Sequence, residues 1–126
     1  MRIHGEVDSD ELGKALSAAD LAVFPSIEEG YGLVAVEYMA AGVPFLMTDS
    51  GASEELTTGN PDTVRCDVTS DGLRAGMREL VEAYMTNRLS RVRLQSRYQA
   101  TLSRSVLANA HVEYLARLGQ RRGLPT

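Results

Sequence analysis

The most constraining feature of this sequence is a short unbroken apolar run, Leu21-Ala22-Val23-Phe24, ended at once by Pro25. A run of this kind marks a strand buried on both faces, and such strands belong to parallel sheets covered by helices. A second run, Val43-Pro44-Phe45-Leu46-Met47, repeats the pattern, with Pro44 near its start, where a missing N–H does least harm. Between the two, a polar, glycine-containing loop from Ser26 to Tyr31 opens a helix from about Gly32 to Ala41, which Gly42 stops. The weakly alternating Arg2–Val7 predicts a strand before these, and Thr63–Val68 predicts one after them. Asp8 or Ser9 caps an intervening helix with Leu12, Ala15, Leu16 and Ala19 on one face. Residues 48–61 form a loop around a short helix near Ser53–Thr57.

Behind a Ser70/Asp71 cap, Leu73, Met77, Leu80, Val81 and Tyr84 make an apolar helical stripe. Two further helices follow, Arg88–Leu102 and Ser103–Leu118, the latter with Leu107, Ala110, Tyr114 and Leu118 inward. The order β-α-β-α-β-α-β, then helices, places the chain in the α/β class. The expected architecture is a partial doubly wound, Rossmann-like parallel sheet of about four strands, with helices on both faces and a helical C-terminal tail. The 126 residues make a single domain, with a Rossmann-like core over 1–87 and C-terminal helices over 88–126.

Several function classes drop out on composition. One cysteine, Cys66, cannot form an internal disulfide or a zinc site, and it suits a reducing, cytoplasmic compartment. No apolar stretch is long enough to span a bilayer, and the opening Met-Arg-Ile-His-Gly-Glu lacks the apolar core of a secretory signal. The net charge of −4 conceals an asymmetry: residues 1–87 carry 5 basic and 16 acidic side chains, residues 88–126 carry 8 arginines and one acid, Glu113. The plain reading is a solvated basic face that complements the acidic half. A basic segment of this kind also suits peripheral contact with anionic lipid at the inner face of a membrane.

The chemistry concentrates after the first buried run. Ligands of parallel sheets bind beyond the carboxyl ends of the strands, and the loop Pro25-Ser26-Ile27-Glu28-Glu29-Gly30-Tyr31-Gly32-Leu33 leaves a strand and opens a helix at that edge. Gly30 and Gly32 let a ligand approach the backbone, and the N–H groups of Gly32, Leu33 and Val34 at the helix start suit a phosphate. Glu29 precedes this nest and Glu37 lies within the helix. Carboxylates are poor phosphate ligands but good acceptors for vicinal hydroxyls. Taken singly, Glu37 reads as a solvated helix position and Glu29 as a charge favourable to a helix N-terminus. Together with the amides, the two fit a nucleoside diphosphate sugar, although the spacing alone points only to an anion site.

The run Pro25-Ser26-Ile27-Glu28-Glu29-Gly30-Tyr31-Gly32-Leu33-Val34-Ala35-Val36-Glu37-Tyr38-Met39-Ala40-Ala41-Gly42-Val43-Pro44 closely resembles the E-x7-E segment of retaining GT-B glycosyltransferases of group 1 (family 4). Ala18–Phe24, Thr48-Asp49-Ser50-Gly51 and Glu54 resemble the same family. The resemblance implies that Glu29 contacts the donor sugar hydroxyls near the reacting centre and that Glu37 holds the nucleotide ribose. It implies that the backbone of Gly30, Tyr31, Gly32 and Leu33 meets sugar and diphosphate, with Val34 adding an N–H. The expected donor is a UDP-, GDP- or ADP-sugar, with no metal and no other cofactor.

The same resemblance sets the family's phosphate-binding Arg and Lys pair, and its acceptor-binding N-terminal domain, outside this chain. The expectation is therefore a truncated or split product, incomplete on its own. Its partners would be the nucleotide-sugar donor and the missing domain or a partner chain, with a homo-oligomer or strand swap as alternatives, and no nucleic acid. In the strand order 3-2-1-4-5-6, Ile3–Val7 would be the third strand and Leu21–Phe24 the fourth, leaving the latter with a bare edge.

Overall fold

A computed structural model describes residues 1–121. Three parallel strands, β1 (Ala22–Phe24), β2 (Phe45–Thr48) and β3 (Thr63–Cys66), form one sheet in the order β1-β2-β3. Ala22 pairs with Phe45, and Phe45 with Thr63 on its other side. Every residue of the central strand β2 is buried, as its unbroken apolar sequence requires. Side-chain alternation then splits the core into two layers. Phe45 and Met47 point to one face, where Ala35 and Met39 of α2 (Leu33–Ala41) and Leu94 of α5 (Arg91–Thr101) cover them. Leu46 points to the other, beside Val64 and beneath Leu80 of α4 (Ser70–Met85). Three elements complete the order: α1 (Ser9–Ala18), α3 (Ser53–Thr57) and α6 (Arg104–Arg121).

The helix stops and starts follow local chemistry. Asp8 caps α1 in a full capping box with Glu11. Gly42 ends α2 in the left-handed conformation, its N–H bonded to Met39 and Tyr38 carbonyls. Thr69, rather than Ser70 or Asp71, caps α4 by accepting from the Gly72 amide. The second apolar run begins its strand at Phe45, because Val43 still donates to the Tyr38 carbonyl and Pro44 has no N–H.

Three expectations are corrected. The sheet has three strands, not about four: residues 1–7 are exposed and outside any strand. The alternation of Arg2–Val7 is interrupted at Gly5, which has φ +66°, and no neighbouring strand stands beside it to accept its hydrogen bonds among the described residues. The α4 stripe is also shifted: Gly76, Leu80 and Ala83 form the buried line, while Met77, Val81 and Tyr84 are exposed. Gly76 permits this, since a Cβ there would lie 2.5 Å from Leu46 Cδ1 and 3.0 Å from Cys66 Cβ. Likewise Leu107 and Tyr114 of α6, expected to point inward, are exposed.

The basic segment has a structural role on α5. Arg91 donates to the carbonyls of Ala19 (2.6 Å) and Ala41 (3.3 Å), at the ends of α1 and α2. Arg97 donates to Thr58 and Gly59, both at 2.9 Å, at the end of α3. These guanidiniums satisfy orphan carbonyls where the helix dipoles are negative. Arg93 is bound to the buried Asp62. Arg122, the last arginine of the segment, lies with the rest of residues 122–126 outside the described residues. No helix among the described residues is long and apolar enough to cross a membrane.

Candidate functional site

The loop that leaves β1 and opens α2 lies at the carboxyl edge of the sheet, beside the loop that leaves β2. The buried Thr48, at the end of β2, ties them together by donating to the carbonyls of Ser26 and Phe24. Ser26 in turn donates to Glu29 Oε1 at 3.3 Å and to the Glu28 carbonyl at 3.1 Å. Glu29 is half-buried. Its carboxylate is thus held on one oxygen by a neutral donor, with the other oxygen available.

The loop backbone is pressed against Gly51, whose φ is +53°. A Cβ on Gly51 would stand 3.0 Å from Glu29 Cβ and 3.2 Å from the carbonyl oxygens of Gly30 and Tyr31, so only glycine permits this approach. The Ala52 N–H donates to the Tyr31 carbonyl at 3.2 Å. Around Gly30 there is open space, with no atom within 4 Å of where a Cβ would lie.

Gly32 caps α2 with φ +92° and supplies no side-chain acceptor. The amides of Gly30, Tyr31, Gly32, Leu33 and Val34 have no hydrogen-bond acceptor among the described residues, the first helical bond being Ala35 N–H to the Gly32 carbonyl. Unpaired donors at the positive end of a helix dipole form an anion site. Glu37 lies roughly 6 Å along the axis from Leu33 at the ordinary helical rise. It is exposed and makes no ion pair among the described residues. The seven sequence-predicted residues thus lie along one ledge, a run of unpaired amides between a half-buried and an exposed carboxylate. Of its two glycines only Gly30 opens it as expected: Gly32 is buried, and a Cβ there would face the core, 3.0 Å from Met47 Cε and 3.4 Å from Phe24 Cε1. Apolar side chains beside that ledge are open to solvent, Ile27 by 82% and Leu33 by 70%.

Ser26, Thr48, Gly51 and Glu55 shape this ledge without having been assigned to it from sequence. Tyr31 Oη donates to Glu55 Oε1 at 2.8 Å, and burial, followed by that hydrogen bond and the charge of Glu55, pushes the Tyr31 hydroxyl up to about 12. These contacts span 22 to 24 residues, and no local pattern announces them. A separate cleft of about 410 Å³ lies at the ends of β2 and β3, lined in part by Asp49, Arg65, Asp67 and Glu79. Three carboxylates around one guanidinium, already paired with Asp49 at 3.7 Å, do not suit a phosphate.

Comparison with known proteins gives concordant matches. The model of the family described as glycosyl transferases group 1 matches residues 1–87. A lipopolysaccharide core biosynthesis mannosyltransferase of Rhizobium meliloti is 42% identical over 56% of this chain and 20% of its own length. A glycogen synthase of Mycobacterium tuberculosis is 34% identical over 98% of this chain and 31% of its own. The chain thus spans a third or less of these relatives. A solved sucrose-phosphate synthase of Thermosynechococcus elongatus superposes with a TM-score of 0.78 at 23% identity, over 94% of this chain and 30% of that one, which shows the common fold.

Proposed function

This chain belongs to the group 1 glycosyl transferases, and from that premise we propose that its Pro25–Glu37 segment is the donor side of a retaining glycosyltransfer site. The observation that carries the reading is the run of unpaired amides from Gly30 to Val34 lying between Glu29 and Glu37. The diphosphate of a UDP-, GDP- or ADP-sugar rests on those amides. Glu37 accepts the ribose hydroxyls, and Glu29 accepts hydroxyls of the sugar beside its anomeric carbon. In the transfer step the bond from that carbon to the diphosphate oxygen breaks, a bond to the acceptor oxygen forms on the same face, and the acceptor hydroxyl's proton passes to the departing diphosphate oxygen. The leaving diphosphate takes the electron pair, and fixed amides at a helix N-terminus stabilise that growing charge without reorganising. No metal is invoked.

Cationic help for the phosphates and the acceptor wall come, in this reading, from polypeptide beyond these 126 residues. Two surfaces support a partner of that kind. The outer edge of β1 has no neighbouring strand among the described residues, and Val23 on it is 36% exposed. Met77 and Val81, on the flank of α4, are apolar and open to solvent.

Calorimetry with UDP, GDP, ADP and their sugars tests the reading. One nucleotide series is expected to bind, and Glu37→Ala to weaken it on the order of tenfold, the scale of a hydrogen-bond pair to a charged acceptor. Adding a chelator is expected to leave the affinity unchanged. An absence of binding at millimolar ligand would rule out a donor site in this chain.

A further inference from the structure

We propose that Tyr31 and Glu55 are positioning residues, their hydrogen bond latching the donor loop to α3 so that the Gly30–Val34 amides stay in the arrangement that receives an anion. The inference rests on the donor reading for its ligand, though the latch itself is defined by the ligand-free geometry. Tyr31 stands in the middle of the unpaired amides. Its carbonyl accepts from Ala52 N–H, at the lead-in to α3, and its hydroxyl reaches Glu55, within α3. One residue is thus fixed at both backbone and tip to the same neighbouring element.

The rest of the loop shows why such a latch is needed. At its start, Thr48 holds Ser26 and Phe24. At its end, α2 is anchored by the buried Ala35 and Met39. Between these anchors the Gly30 and Tyr31 carbonyls rest on Gly51, but a Cβ on Gly30 would meet nothing within 4 Å and Ile27 is almost wholly exposed. The Tyr31–Glu55 bond is the one side-chain hydrogen bond among the described residues that joins this middle stretch to α3. The raised Tyr31 hydroxyl stays protonated, and so remains a donor, throughout the neutral range. Glu55 lies in α3 rather than in the run of amides, and its hydrogen bond to the loop is through the Tyr31 hydroxyl.

Tyr31→Phe removes only the hydroxyl, Glu55→Ala only its acceptor, and Glu55→Gln keeps an acceptor oxygen. In amide hydrogen exchange of the ligand-free chain, the first two are expected to speed exchange about fivefold at the Ala52 and Ala35 amides, which donate to the Tyr31 and Gly32 carbonyls of the loop, while leaving α4 and α5 unchanged. Glu55→Gln should restore slow exchange, and the double variant Tyr31→Phe/Glu55→Ala should be no worse than either single one. Affinity for the nucleotide sugar that the parent binds should fall by a similar factor in the same two single variants. Parent-like exchange in Tyr31→Phe overturns the latch. If the parent binds no nucleotide sugar, the donor reading fails instead, and the exchange measurement still decides the latch.

Discussion

Asp62→Ala is expected to lower folding stability by about 3 kcal/mol, read as a drop in the urea midpoint at constant slope. The Asp62 side chain is wholly buried, while that of Arg93 is 48% exposed. The carboxylate accepts from the Ser90 amide at 2.6 Å, from Arg93 Nε at 2.8 Å and from Arg93 Nη2 at 2.6 Å. It therefore fixes the cap of α5, because Ser90 Oγ in turn accepts from the Arg93 amide. Its hydrogen bond also keeps Arg93 firmly charged. Net Coulomb gain is not the source of the effect, since desolvation offsets much of it in a buried pair. The loss arises because alanine leaves the Ser90 N–H and one edge of the guanidinium facing a void. Arg93 recovers part of its hydration through its exposed side, which keeps the figure below the sum of three charged hydrogen bonds. Asp62→Asn keeps the volume but turns one acceptor into a donor, and about half the effect is expected. A change in Asp62→Ala of less than about 0.5 kcal/mol, the ordinary surface range, would show that the pair holds nothing.

Gly42→Ala is expected to cost a similar amount, about 3 kcal/mol, for two separable reasons. The residue adopts φ +69°, ψ +31°, which costs an L side chain roughly 1–2 kcal/mol. A Cβ there would also lie 2.9 Å from the Arg91 carbonyl oxygen and 2.8 Å from Gln95 Cγ. Gln95 can swing aside, but the Arg91 backbone cannot, so overpacking adds roughly 1–3 kcal/mol. Gly42→Asn separates the reasons, because asparagine tolerates the left-handed conformation and still carries the Cβ. It should recover less than half of the alanine loss. Melting of Gly42→Ala within about a degree of the parent would contradict both parts of the argument. The contact matters beyond stability: it sets α5 against the end of α2, the helix that bears Glu37 and begins at the amide ledge.

Much of this protein is legible in its sequence where neighbours a few residues apart decide the outcome. The strand within Leu21–Phe24, the stop at Gly42, the cap at Asp8 and the placing of Glu29 to Glu37 after that strand all follow from local sterics, capping and periodicity. The strand's expected burial on both faces does not, since β1 is only half-buried and Val23 is exposed at the open sheet edge. These elements, in that order, leave little choice but a parallel α/β sheet. Where the prediction overreached, at Arg2–Val7, alternation alone could not make a strand, because a strand exists only if another accepts its hydrogen bonds.

What the tertiary structure decided is which distant groups meet. Periodicity marked Met77, Val81 and Tyr84 as apolar, but the space opened by Gly76 turned the buried line of α4 toward Leu80 and Ala83. The arginines of the basic segment read as a charged surface until α5 was placed beside the ends of α1, α2 and α3. A guanidinium on a long stem finds its acceptor by position in space, whatever its neighbours in sequence are. The same holds for Tyr31 and Glu55, and for Asp62 and Arg93. Local sequence determined the ledge of amides and its two carboxylates; only the packing of the elements decided what holds that ledge still.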